Sequence, residues 1–347
     1  MPSVTIDAGV LAAPPEDGSV EDCHRYVETL LDWSRLLDEP WVAIYMSERA
    51  SEVLFDDGLF PLRDQLTRLF AANGIMEYDV NTVVRVVDRL LQLTPSFETY
   101  FSIRDVLAEE LSTEPDILQL CSGTRLQSDL ARCIVLIAIL RHHCREPIRD
   151  HSMILRRAPG KIIRVKALIT LLEHQRTDLG ATPIAPAYFE GDVLVCDDFR
   201  GLIECLDETA ILLKATDDVG VETAVRIAVY KSRLARGMAP EWDDMPNHTV
   251  GHSFQESFQK NHPTQELANR LLRAIVETLE QTNMTATHWL RTGPGGNDPQ
   301  RVRTSDQAKA WRRDVDRDYH LHYWSCEDGN VEVASVSFPH ADFVIPE

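Results

Sequence analysis

The chain has no C-x-x-C pair, and its cysteines are odd in number: Cys23, Cys121, Cys133, Cys144, Cys196, Cys205 and Cys326. That pattern argues against a disulfide framework or a zinc ribbon and reads as buried or idle thiols. Long apolar runs are also missing. The longest aliphatic stretch is Ile134–Leu140, far short of the roughly 20 residues a spanning helix needs, so no membrane contact is expected. The start, Met1-Pro-Ser-Val-Thr-Ile-Asp, lacks the basic and apolar regions of a signal peptide, and a cytoplasmic location is the expectation. There is no Walker A sequence, Rossmann fingerprint or G-x-S-x-G elbow, no repeat and no heptad pattern. No cofactor and no metal is expected. Positive charge is scarce: 35 Lys and Arg stand against 55 Asp and Glu, a net charge of −20.

The 347 residues are enough for two or three domains with real cores. The reading is an α+β chain, with a mainly α-helical N-terminal body and a small C-terminal helix-plus-antiparallel-sheet module. Residues 1–19 read as a flexible leader, 20–180 as a helical domain, 181–240 as a helical extension of that body, and 248–347 as the α+β module. Apolar spacing of three and four predicts helices over 21–37, 41–55, 61–72, 80–93, 97–111, 126–141, 154–173, 199–214 and 219–236. Asp79 is placed to cap the fourth. Asp192–Cys196 fits a short strand or a helix entry. Gly237–Asn247, with Pro240 and Pro246, reads as the linker. Beyond it come an aromatic segment, His248–Lys260, and an amphipathic helix over 263–282. Tyr319–Trp324 has strand composition, Asp328-Gly329 signals a hairpin, and Val331–Phe338 alternates with period two.

The scarce cations are not spread evenly. Arg141 to Arg176 holds nine Lys or Arg against Glu146, Asp150 and Glu173, and His288 to Arg317 holds seven against four Asp. Each excess is what a local anion site requires, and equally what a contact with an acidic face requires. In the first, Arg156, Arg157, Lys161, Arg164 and Lys166 are candidates for nucleic-acid contact. In the second, Asp314, Asp316 and Asp318 alternate with Arg312, Arg313 and Arg317 and also fit a wet surface of salt bridges. On a strand, His320 and His322 share one face, as a proton relay or as structural residues.

The order of the last hundred residues resembles the small toxins of the RelE/ParE superfamily. Phe254-x-x-Ser-Phe258 and Leu267–Leu279 are similar to that family's two helices. His288-Trp-Leu-Arg-Thr-Gly293 is similar to the end of its helical section. Arg301-Val-Arg303 and Trp311-Arg-Arg-Asp314 resemble its basic strand, and Tyr319–Trp324 with Val331–Phe338 and His340 its final hairpin. The chain departs from the family in carrying His320 where an arginine is frequent, and in the large body fused ahead. The resemblance implies ribosome-dependent mRNA cleavage, or a silent relative that binds a partner. Cleaving RNA by its own 2′-hydroxyl needs a base, cations on the phosphate and a donor for the leaving oxygen. His320, His322, Tyr323 and Arg313 are the candidate catalytic residues, without metal. Arg301, Arg303, Arg312 and Arg317 are the candidate phosphate contacts.

Two functions follow as expectations. One is a non-catalytic or regulatory subunit of a bacterial defence or stress complex, acting through protein partners. The other is an effector whose C-terminal module cleaves RNA, on or off the ribosome, under control of the helical body. The second expects Arg313→Ala or Tyr323→Ala to leave folding intact.

Overall fold

The computed structural model describes residues 1–143, 150–176, 185–338 and 344–347. His340, Arg145, Arg149, Glu146 and Cys144 lie outside them. The fold is α+β with two mixed sheets, and it divides into two compact units, Met1–Leu206 and Asp207–Glu347. Among the described residues no helix is long and apolar enough to cross a membrane.

The first unit is built on a six-stranded sheet. Its strands are β1 (Ser3–Ile6), β2 (Ala43–Met46), β3 (Ile103–Glu114), β4 (Ser152–Ile154), β5 (Ile162–His174) and β6 (Ala187–Cys196), in the order β2-β1-β4-β6-β5-β3. Strands β2, β1, β4 and β6 run parallel, and β5 and β3 are added antiparallel. Around them run α1 (Ala8–Leu11), α2 (Val20–Arg35), α3 (Ala50–Asp56), α4 (Arg63–Ala72), α5 (Val80–Leu93), α6 (Phe97–Tyr100), α7 (Thr124–His143) and α8 (Phe199–Cys205). Helix α7 carries the longest apolar run of the chain, and Ile134–Leu140 are all fully buried against the sheet.

The structure departs from the sequence reading at five places. Residues 1–19 are not a loose leader: β1 lies inside the sheet, with Val4 and Ile6 wholly buried, and Ser19 with Asp22 forms a capping box on α2. The helix expected over 154–173 is instead β5. Its β-branched Ile163, Val165 and Ile169 face the core while Arg164 and Lys166 face out. The helix expected over 97–111 stops after one turn and gives way to β3, and that over 41–55 divides into β2 and α3. The helix expected over 199–214 is two, Phe199–Cys205 and Glu208–Lys214, while Asp79 does cap α5, accepting from Asn81 N and Thr82 N. A buried histidine ties the central strands: the His151 ring lies 2.9 Å from Ser3 Oγ and 2.7 Å from Thr5 Oγ1. Burial first, then the nearby Arg141, pulls its imidazole down to about 3, so the ring stays neutral.

In the second unit α9 (Glu208–Lys214), α10 (Asp218–Ala235), α11 (Phe254–Lys260) and α12 (Gln265–Leu279) cover one face of a five-stranded sheet. Its strands are β7 (His248–Val250), β8 (Thr287–Trp289), β9 (Lys309–Asp314), β10 (His320–Ser325) and β11 (Val331–Ser337), ordered β7-β11-β10-β9-β8. All pairings are antiparallel except β7 with β11. The hairpin between β10 and β11 turns at Asp328-Gly329, where Gly329 takes φ +84°, a conformation that favours glycine. Residues 207–240, read from sequence as an extension of the body, pack here: Val221, Val225 and Val229 share a core with Leu271 and Ile275.

Candidate functional site

Alternation along β9 and β10 divides the basic and histidine residues between two faces of the sheet, and burial decides what each can reach. Leu321 and Tyr323 point toward the helices. His322 and Trp324 point the other way and are covered by the last residues of the chain: His322 Nδ1 lies 3.2 Å from Val344 O, and Trp324 Nε1 donates to Pro346 O at 2.7 Å. His320, His322 and Tyr323 are 2%, 1% and 4% exposed. His320 Nε2 sits 3.2 Å from Asp314 Oδ1, and burial pushes the Tyr323 phenol up to about 12.

Arg313 is fully buried. It donates to Glu277 Oε2 at 2.7 Å, to the carbonyls of Thr282 and Asn283 at 2.8 Å each, and to Thr287 Oγ1 at 3.2 Å. Those carbonyls follow the end of α12, so Arg313 closes a helix terminus onto the sheet. The four residues read as catalytic are thus buried and engaged within the second unit.

The candidate phosphate contacts separate into two groups. Arg303 is neutralised: it pairs with Asp306 at 2.6 Å and Glu332 at 2.7 Å and lies 5.0 Å over the Trp324 ring. The expected ladder of Arg312, Arg313 and Arg317 with Asp314, Asp316 and Asp318 does not form. Asp316 pairs instead with Arg270 from α12, and Asp314 with His288 and His320. Arg301, Lys309, Arg312 and Arg317 make no side-chain ion pair among the described residues. The Nε atoms of Arg301 and Arg312 are buried without a hydrogen-bond partner. Arg312 lines a cleft of about 500 Å3 along the edge strand β8, with His288, Arg291 and the loop Gly293–Gly296. Arg291 shapes that loop by donating to the carbonyls of Gly296 and Asp298, and Gly295 N donates to Asp298 Oδ2 at 2.7 Å. A Cβ on Gly293 or Gly295 would lie 2.8 or 2.9 Å from Asp298 Oδ2, so a side chain at either position would displace the Asp298 carboxylate that accepts from Gly295 N. Trp289, beside the cleft, is 54% exposed.

The first unit's basic stretch is mostly paired. Lys161 meets Glu204 at 2.5 Å, Lys166 meets Glu190 at 3.4 Å, and Arg157 meets Asp22 at 3.5 Å. Arg164 faces outward from β5. Arg156 and Arg164 make no ion pair among the described residues, and of the two Arg156 is half-buried. Arg156 opens onto a second cavity, of about 360 Å3, whose floor includes Asp7. No sequence motif marked this cavity. Asp7 accepts from Gly9 N at 3.0 Å to cap α1. Its carboxyl is pushed up to about 7, by burial first and then by the charge of Asp129, against two backbone N–H groups that pull it down. Asp129 belongs to a buried network in which Arg132 donates to Asp129 Oδ1 at 3.0 Å, to Ser47 Oγ at 2.9 Å and to Glu98 Oε1. The one signal for Asp7 in the sequence is an acid directly after the short apolar run Val4-Thr-Ile6.

Comparison with family models, with curated proteins and with solved structures finds no match.

Proposed function

We propose that this chain works by binding rather than by cleaving, and that its second unit holds a single-stranded nucleic acid along the edge formed by β8 and β9. The supporting observation is the set of cations there. Among the described residues Arg301, Lys309 and Arg312 have no carboxylate partner, in a chain whose net charge is −20. Half-burying a guanidinium without a counter-ion costs free energy, and a phosphate at Arg312 in the cleft offsets that cost. The exposed indole of Trp289 offers a base a stacking face. The sealed positions of Arg313, His320, His322 and Tyr323 support binding without strand cleavage. The chain then belongs to a complex as a regulatory subunit that recognises RNA.

The test is fluorescence anisotropy of the full chain with a labelled single-stranded RNA, repeated over a range of salt. Each phosphate contact contributes about 0.7 to the slope of log affinity against log salt. Arg301→Gln with Arg312→Gln is therefore expected to lower that slope by about 1.4, with the RNA recovered intact. Binding that ignores both substitutions, or none at low salt, overturns the proposal.

A further inference from the structure

In the first unit, chain order and strand order part company beside β1. The chain leaves β1 for β2 on one side, whereas β4 pairs on the other. In open sheets with parallel strands, ligands bind in the crevice that such a reversal opens at the carboxyl ends of the strands. The 360 Å3 cavity lies there, lined by Asp7 just after β1 and by Leu155 and Arg156 just after β4. Its size is at the lower end of the roughly 300–1,000 Å3 range of small-molecule sites.

The cavity joins an apolar wall to a charged part that holds Asp7, Asp22, Arg156 and Arg157. Ile117, Leu126, Leu130 and Leu155 form an apolar wall, and all four are buried. At one end stands Arg156. A guanidinium carries five N–H donors, yet among the described residues Arg156 makes a single hydrogen bond, a long one of 3.4 Å to Ala12 O. Burial first, with the nearby charge of Arg157, lowers its affinity for the proton, against the opposing pull of Tyr26 and Asp22. The acids near it do not supply the partner: Asp22 is engaged by Arg157 at 3.5 Å, and Asp7 caps α1. Apolar wall and unsatisfied cation together fit a ligand with the complementary halves.

We propose that this cavity binds a small amphiphilic anion, a single carboxylate or phosphate-monoester head on an apolar body, with the head on Arg156 and the body along Ile117, Leu126, Leu130 and Leu155. The lining of the site belongs wholly to the first unit.

Isothermal titration calorimetry of the full chain with sodium octanoate, octyl phosphate, octanol and inorganic phosphate tests this. Octanoate, octyl phosphate or both are expected to bind more tightly than octanol and inorganic phosphate, and whichever binds identifies the head group. Arg156→Met should weaken that binding by about tenfold or more, the loss of a charge-assisted hydrogen bond, with an unchanged thermal melt. Leu120→Trp, at a lining position that is 56% exposed, should block the cavity without disturbing the core. Equal binding of octanol would mean that Arg156 does not select the ligand. Equal binding of inorganic phosphate would mean that the apolar wall plays no part. Either result, or failure of both anions to bind the folded chain, overturns the proposal.

Discussion

At the scale of single residues, the charged groups that matter most are those the fold has enclosed. Arg313 carries four hydrogen bonds inside the second unit. Removing a buried, paired charge leaves its partners stranded and costs about 3–5 kcal/mol. Arg313→Ala is therefore expected to lower the melting temperature of the second unit sharply, the reverse of what a surface catalytic arginine would do. Thermal denaturation followed by circular dichroism checks this, and an unchanged melt would return Arg313 to the list of functional candidates. Asp7 carries the opposite sign of effect. Its folded carboxyl, held near 7, exceeds the ordinary value of 3.8, so the folded state binds more protons than the unfolded one between those values. Stability must then fall as pH rises from about 4 to about 7, by an amount on the order of 3 kcal/mol. Asp7→Asn keeps a residue able to cap α1 and removes the charge. It should raise the melting temperature above neutral pH and leave it little changed near pH 4, and a uniform shift at all pH values would refute the assignment.

At the scale of elements, the start of α7 is fixed by a residue from another part of the chain. Asp57, just beyond α3, accepts from Arg125 N at 3.2 Å and Leu126 N at 2.7 Å, two of the donors a helix start leaves unpaired. A Cβ on Gly123 would come within 2.1 Å of Asp57 Oδ2, so the glycine admits the cap. Asp57→Ala should cost about 1 kcal/mol. Gly123→Ala should cost less in that background than in the native chain, because its damage acts through the same carboxylate. Additive losses in denaturant titration would show that the two do not act together. A cap of this kind is invisible in sequence, where Asp57 and Gly123 are far apart. The same limit explains β5. Its Leu and Ile residues satisfy helical and strand spacing alike, and only pairing with β3 and β6 decides between them. Helices with long amphipathic stripes, such as α5 and α12, were legible because one face suffices to define them. In the candidate site, the basic character of 301–313 was plain from composition. Which arginines stay free was not, since Glu332 and Glu277, which neutralise Arg303 and Arg313, come from other elements.

At the scale of the molecule, the division into units decides which pieces can fold. The linker composition of Gly237–Asn247 pointed to a boundary near 247, but the compact units meet at Leu206 and Asp207. The reason lies in the core: Leu212, Val221, Ala224, Val225 and Val229 from α9 and α10 are buried with Leu271, Leu272 and Ile275 of α12. A fragment beginning at 248 leaves that face of α12 in water. Each large aliphatic side chain so exposed forfeits roughly 1.5–3 kcal/mol, and a few of them equal the 5–15 kcal/mol that holds a whole domain together. Residues 207–347 are expected to melt cooperatively when expressed alone, and residues 248–347 to show no cooperative transition and to bind a hydrophobic dye. A cooperative melt of the shorter fragment would mean that α9 and α10 are accessory to this fold, and that the linker after α10 is the boundary at which it can be cut.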